Sequence, residues 1–190
     1  MAILANIRTI LGFVIIGFLF ASQTAAKQDA IFLKVDDTPA SQIKRLDEVH
    51  GAWVVTCLPI ADKRECAARQ FQTDAANGKQ LLMAEFHFSS DGAVRGGVLL
   101  SSELRKEDGV QVALDGKGSN QKLPLTNCSE KGCAVMLAFT GAALDKVLTG
   151  KQLELSATQP DGTAKTFVIP LNGFSDAGEK IKALAKSSQM

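Results

Sequence analysis

From Val49 onward the chain alternates short apolar runs with polar, turn-forming stretches. "AWVVTCLP" (52–59), "KQLLMAEFHFS" (79–89), "AVRGGVLLS" (93–101) and "GVQVALD" (109–115) are rich in β-branched, aromatic or alternating residues. "KGCAVMLAF" (131–139), "KQLELSATQ" (151–159) and "AKTFVIPL" (164–171) share that character, which suits a pleated, half-buried strand. Between them stand "DAANGK", "SSDG", "RKEDG", "DGKGSN" and "QPDGT", whose Gly, Asn, Asp and Pro residues supply the backbone angles of tight turns. "CAARQFQ" (66–72) and "QKLPLTN" (121–127) are weaker strand candidates. Two segments follow the helical period instead. "GAALDKVLTG" places Leu144, Val147 and Leu148 at i, i+3 and i+4 and stops at Gly150, predicting a helix of one to two turns. "SDAGEKIKALAKSS" begins with capping residues and gathers Ala177, Ile181, Leu184 and Ala185 on one face, with Gly178 weakening it by about 1 kcal/mol relative to Ala. Seven to nine short strands with so little helix predict a mainly β domain. The expected form is an antiparallel sandwich, or a barrel-like relative, with one short internal helix and a C-terminal helix.

The N-terminus has a different texture. Residues 1–26 carry one charge, Arg8, then an apolar stretch from Ile10 to Ala21, then a polar segment ending Thr24-Ala25-Ala26. A basic start, a short apolar core and small residues at −3 and −1 describe a secretory signal peptide cleaved after Ala26. An uncleaved anchor is the rival, but a spanning helix needs about 20 predominantly apolar residues, and Ser22, Gln23 and Thr24 interrupt this one. No transmembrane anchor is therefore expected after cleavage. Residues 27–48 are polar, with Pro39 and one apolar triplet, "IFL", and read as a loosely held arm before a single β domain over 49–190. Losing Arg8 turns the formal charge of +1 into zero, and no run of Lys or Arg is longer than two. Such a domain offers no charge-based case for a nucleic-acid partner.

A periplasmic or secreted location makes disulfides the default state of Cys57, Cys66, Cys128 and Cys133. Three connectivities are possible, and spacing alone does not choose among them. Local pairing, Cys57 with Cys66 and Cys128 with Cys133, is preferred because turn-forming residues separate the members of each pair, "LPIADKRE" in one and "SEKG" in the other. Either loop can bring two Cα atoms to the roughly 5.5–6 Å of a common disulfide. A Cys₄ zinc site fits poorly: C-x₄-C lies within the usual ligand spacing and C-x₈-C does not. The C-x-x-C of a thiol-disulfide oxidoreductase is absent.

Other chemistry is sparse. "GKGSN" lies in a turn context with no helix after it, unlike a phosphate cradle, and no G-x-S-x-G elbow is present. Of the two histidines, His87 shares a strand face with Glu85, opposite Phe86 and Phe88, and is expected to look outward. His50 precedes Gly51 at the edge of the first strong strand, where it could cap a loop or line a cleft. Trp53, Val55 and Cys57 alternate along one strand, placing the only tryptophan on the side of the first cysteine pair, in the core rather than in a stacking site. Asn127-Cys128-Ser129 has the form of a glycosylation sequon, awkwardly centred on a cysteine. No catalytic residue, cofactor or metal is expected.

Five motifs occur in a telling order: "WVVTC" (53–57), "CAARQF" (66–71), "GVQVALDG" (109–116), "NCSEKGCAV" (127–135) and "LNGFSDA" (171–177). Together they resemble the invasion-associated locus B family of exported bacterial proteins, over about residues 49 to 184. A proline that the family tends to carry before the Gly-Val strand is missing from "LLSSELRKEDGV", which touches only the loop there. The resemblance implies a periplasmic or secreted all-β domain with two disulfides and supplies no catalytic residue. Two function classes follow. One is a non-enzymatic binding or accessory module contacting an envelope or host protein, glycan or lipid. The alternative is a hydrolase-like enzyme with a cryptic site near His50 or His87.

Overall fold

The structure, a computed structural model, describes residues 45–60, 63–100 and 103–187. Residues 1–26, expected to be a signal peptide, and most of the expected N-terminal arm lie outside the described residues. Eleven strands and two α-helices follow one another in it. Strands β1 (Leu46–His50), β2 (Trp53–Ile60), β3 (Lys63–Thr73), β4 (Gln80–Phe88) and β5 (Val94–Leu100) form consecutive antiparallel hairpins. Strands β6 (Val110–Leu114), β7 (Lys117–Leu123), β8 (Thr126–Ser129) and β9 (Gly132–Phe139) follow. Helix α1 (Gly141–Thr149) leads to β10 (Gln152–Thr158) and β11 (Ala164–Pro170), and α2 (Phe174–Ser187) ends the domain.

Two antiparallel sheets result, of order β1-β2-β3-β4-β5-β9-β8 and β11-β10-β6-β7. Neither closes into a barrel. Their inner faces share one core, in which Trp53, Val55, Phe86, Val98 and Leu100 of the larger sheet meet Val110, Leu153, Leu155 and Ile169 of the smaller. Alternation of buried and accessible residues along β5 and β10 is the signature of strands with one face in that core. Helix α2 lies across β1 to β4 and covers what the smaller sheet leaves open.

The expected strands and helices are present, with instructive differences. Strand β1 begins at Leu46, inside the segment read as an arm, because its edge position pairs it with β2 alone. "QKLPLTN" is not one strand. It splits at Pro124, which has no N–H for a ladder, and the chain crosses there from β7 in one sheet to β8 in the other, burying Leu125. "DGKGSN" is not all turn: Asp115 and Gly116, at φ 50° and 73°, make a two-residue hairpin, and β7 starts at Lys117. On α2 Phe174, Ala177, Gly178 and Ile181 are buried and Leu184 packs against the core half-buried, whereas Ala185 is exposed. Gly178 is required there, since a β-carbon would overlap the ring of Phe88.

Cys57 is bonded to Cys66 and Cys128 to Cys133. Cys57 and Cys66 face each other across β2 and β3, and the β8–β9 hairpin brings the other pair together. Both Cα separations are 4.0 Å, shorter than the common range because each pair bridges neighbouring strands.

Candidate functional site

Residues from three of the motifs, "WVVTC", "CAARQF" and "LNGFSDA", meet in one interior region, where they build structure. Trp53 is fully buried, with Phe174 at 4.6 Å and Phe86 at 5.8 Å between ring centroids. Its indole Nε1 donates to the Pro170 carbonyl at 3.0 Å. Gln70 is buried beside it, and its amide donates to the carbonyls of Ala52 and Pro170, both at 3.2 Å. Gln72 donates to the Gln70 side-chain oxygen at 2.9 Å and to the Val168 carbonyl at 2.8 Å. Two glutamines of β3 thus satisfy carbonyls along β11, an edge strand of the other sheet. Gly173, at φ 85°, lets the chain turn against the His50 carbonyl, where a β-carbon would overlap that oxygen. Phe174 and Ala177 then enter the core.

Each histidine has a glutamate beside it. Glu48 and His50 lie on the inner side of β1, with His50 Nε2 3.2 Å from Glu48 Oε1 but without an aligned hydrogen bond. Lys180 of α2 reaches Glu48 Oε2 at 2.6 Å, and this bond holds the Glu48 carboxyl below its ordinary range. On the outer side of the sheet His87 Nε2 lies 3.0 Å from Glu85 Oε1. Arg69 Nε lies 2.7 Å from Glu85 Oε2 as an ion pair without an aligned hydrogen bond. The Glu85 bond can orient the His87 imidazole, but among the described residues no hydroxyl or thiol is hydrogen-bonded to either ring. The two rings are on opposite faces of the sheet and do not form one site.

The outer face of the larger sheet is the candidate functional surface. Register places Phe71, Met83, Leu99 and Ala134 side by side across β3, β4, β5 and β9. The neighbouring row is Arg69, Glu85, Gly97 and Met136, and a third holds His87, Arg95 and Ala138. Phe71 is 57% exposed and Met136 62%, large apolar side chains standing in solvent. Between them a shallow recess of about 400 Å³ has Gly97 as part of its floor, bordered by Met83, Leu99 and Met136. A line of polar contacts, Arg69–Glu85–His87, runs along one side, and Arg95 pairs with Asp91 at 2.8 Å. The Asp91 carboxyl is lowered by the Arg95 bond first and by the Ala93 N–H next. Sequence reading placed Glu85 and His87 outward but missed Phe71, Met83 and Met136, whose signal was their alternation with inward residues.

A larger recess, about 770 Å³, opens where the β3–β4 loop meets the β8–β9 turn. Lys79, Lys131 and Lys165 line it together with Asp74, Glu103 and Glu130, so its charges are mixed. Asp74 is occupied in shaping the loop, accepting from the Ala76 N–H at 2.8 Å. Among the described residues no group of three or more His, Cys, Asp or Glu is placed to hold a metal, and no helix is long and apolar enough to cross a membrane.

Comparison with known proteins agrees with this architecture. An invasion protein B homolog of Brucella abortus strain 2308 is 28% identical over 142 residues, which cover 74% of this chain and 82% of the relative. A homolog from B. abortus biovar 1 strain 9-941 matches to the same extent. The crystal structure of invasion associated protein B from Bartonella henselae superposes with a TM-score of 0.68 at 23% identity, covering 75% of this chain and 98% of that one, and so shares the fold. The model of the invasion associated locus B (IalB) proteins matches residues 53–182, from Trp53 of the buried cluster into α2, and the chain belongs to that family.

Proposed function

We propose that the protein is an exported module of the bacterial envelope, periplasmic or secreted, that acts by binding a protein partner and not by catalysis. The observation that carries this reading is the outer face of the seven-stranded sheet. Phe71 and Met136 stand exposed there beside Met83 and Leu99, with Arg69 and Arg95 at the margin. Aromatic, methionine and arginine side chains are the types enriched in protein–protein interfaces. The charges are of both signs and largely paired, which favours a protein surface over a polyanion. Two disulfides support export, since such bonds persist in oxidising compartments. Trp53, Gln70 and Phe174 of the motifs support a non-catalytic role because they are engaged in buried packing and hydrogen bonds. The relatives' names connect those proteins with invasion, and a role at the host-facing surface is the corresponding expectation for this one.

Fractionation of cells making the full chain, followed by intact mass before and after reduction and alkylation, tests export. The expected product starts at Lys27 and takes four alkylations only after reduction. Partner capture with Phe71→Ser/Met136→Ser tests the surface, with capture lost and the melting temperature kept. Cytoplasmic free thiols, or unchanged capture, would overturn the reading. So would a hydrolytic activity abolished by His50→Ala or His87→Ala.

A further inference from the structure

We propose that the opening between the two sheets beside α1 binds a single-chain anionic amphiphile, a long-chain fatty acid, with its tail in the groove and its carboxylate at Lys117 and Lys146. The groove adjoins the outer face, with Met136 lining both, but the argument for it does not rest on the protein-binding reading.

The opening exists because β8 is short. It pairs with β9 only from Gly132 to Ala134, so the rest of β9 has no strand neighbour on that side. Strand β7 is likewise the edge of the smaller sheet. Between these two edges and α1 lies a recess of about 630 Å³. Its walls include Val112, Leu114, Leu123 and Phe139, each half-buried, with Val147 and Leu153 beneath. These side chains pack on the core with one side and leave the other bare. A space of this size suits one small or single-chain ligand, as pockets of roughly 300–1,000 Å³ do, and is too small for a two-chain lipid.

Charge selects among single-chain ligands. Lys117 and Lys146 line the groove and also border, with Leu114, an adjoining recess of about 400 Å³. Asp115 is the acid of that recess, and its Oδ1 accepts the backbone N–H groups of Lys151 at 2.9 Å and Gln152 at 3.0 Å. Its position is therefore fixed by the β10 backbone and not by the lysines. Two exposed ammonium groups at the end of an apolar trough complement a carboxylate on an acyl chain, repel a cationic detergent and give an alcohol no ionic contact.

The test uses the mature, disulfide-bonded protein with palmitate, hexadecanol and hexadecyltrimethylammonium, each below its micellar concentration. Native mass spectrometry should find one palmitate per chain. Titration should show hexadecanol weaker by roughly tenfold and the cationic analogue weaker still. Lys117→Gln/Lys146→Gln should bring palmitate down to the level of the alcohol with an unchanged melting temperature. Ala143→Trp, at an exposed position of α1 lining the groove, should block both ligands. Failure to bind palmitate, equal binding of the cationic analogue, or indifference to the lysine pair would overturn the proposal. So would preferential uptake of an extended apolar peptide, which would assign the free edge of β9 to strand addition.

Discussion

Strands β3 and β4 present two unlike surfaces from one stretch of chain. Facing inward, Ala68, Gln70, Leu82, Ala84 and Phe86 are packed against α2 and the smaller sheet, and even the polar member has its hydrogen bonds met. Facing outward, Arg69, Phe71, Met83, Glu85 and His87 form a surface on which apolar and charged rows alternate in solvent. Motif residues fall on both: Trp53, Gln70 and Phe174 belong to the packed interior, whereas Arg69 and Phe71 of "CAARQF" face outward. The interior motif residues speak to how the domain is held together, and the protein-binding proposal concerns the outer surface. A substitution should consequently reveal its side of the sheet by whether it moves stability or binding.

The largest effect is expected at the aromatic cluster. Trp53→Ala or Phe174→Ala removes a fully packed ring and should destabilise the fold by about 3–5 kcal/mol. Phe71→Ser, at a ring of similar size on the other side, should stay within about 0.5 kcal/mol of the parent. Urea unfolding followed by tryptophan fluorescence measures both Phe variants. Equal losses in Phe174→Ala and Phe71→Ser would erase the distinction between the two surfaces.

The disulfides come next. Removing Cys57–Cys66 or Cys128–Cys133 by paired Ala substitution should lower stability by about 2–3 kcal/mol each on the chain-entropy model. The first pair should cost more, because Cys57 is fully buried and its loss also opens space in the core. Reductant should therefore lower the melting temperature, and a chelator should leave it unchanged. A shift with chelator alone would restore the metal reading of the cysteines.

Much of the architecture was legible because an alternating apolar pattern survives wherever one strand face is solvated. The strands around Phe86, Val98, Val135 and Leu155 all carry it. Strand β3 was faint for a physical reason: Gln70 and Gln72 occupy inward positions, where their amides serve the β11 carbonyls, and so they break the apolar rhythm. On α2, Ala185 fits the helical period as well as Gly178 does. Only the ring of Phe88, brought in from β4, shows which one must pack. The cysteine pairs could be proposed from their short separations, but their facing positions depend on strand register. The outer surface was the least legible part. Phe71, Met83, Leu99 and Ala134 become neighbours only after four strands are ordered, and no local pattern states that order.

Gln70→Leu separates polar satisfaction from packing on the inner side. It keeps much of the side chain's volume but takes the Gln70 donor from the Ala52 carbonyl, whereas Pro170 retains Trp53 Nε1. The expected loss is about 1–3 kcal/mol, the penalty for an unmet buried polar group. A neutral result in thermal unfolding would mean that the glutamine specifies the β3–β11 approach without stabilising it.

The smallest effect concerns acid. Asp47 and Glu48, adjacent on β1, both have carboxyls held below their ordinary range, Asp47 chiefly by Arg45 and then Thr56, Glu48 chiefly by Lys180. A carboxyl with a lowered folded pKa favours the folded state above its unfolded value, about 4, and loses that contribution as pH falls through the folded value. Both groups are solvent-accessible, so screening keeps the contribution small. Melting temperature should hold from neutrality to about pH 5 as far as these groups are concerned, then decline toward pH 3. Lys180→Gln should flatten part of that decline, because Glu48 then titrates closer to its unfolded value and the tie from β1 to α2 is already absent at neutral pH. Arg95→Gln should flatten a similar part through Asp91, on the solvent-facing side of the same sheet. A steeper acid decline in either variant would reverse the sign assigned to its ion pair. A flattening confined to Lys180→Gln would make the α2 contact, and not surface charge in general, the source of the acid response.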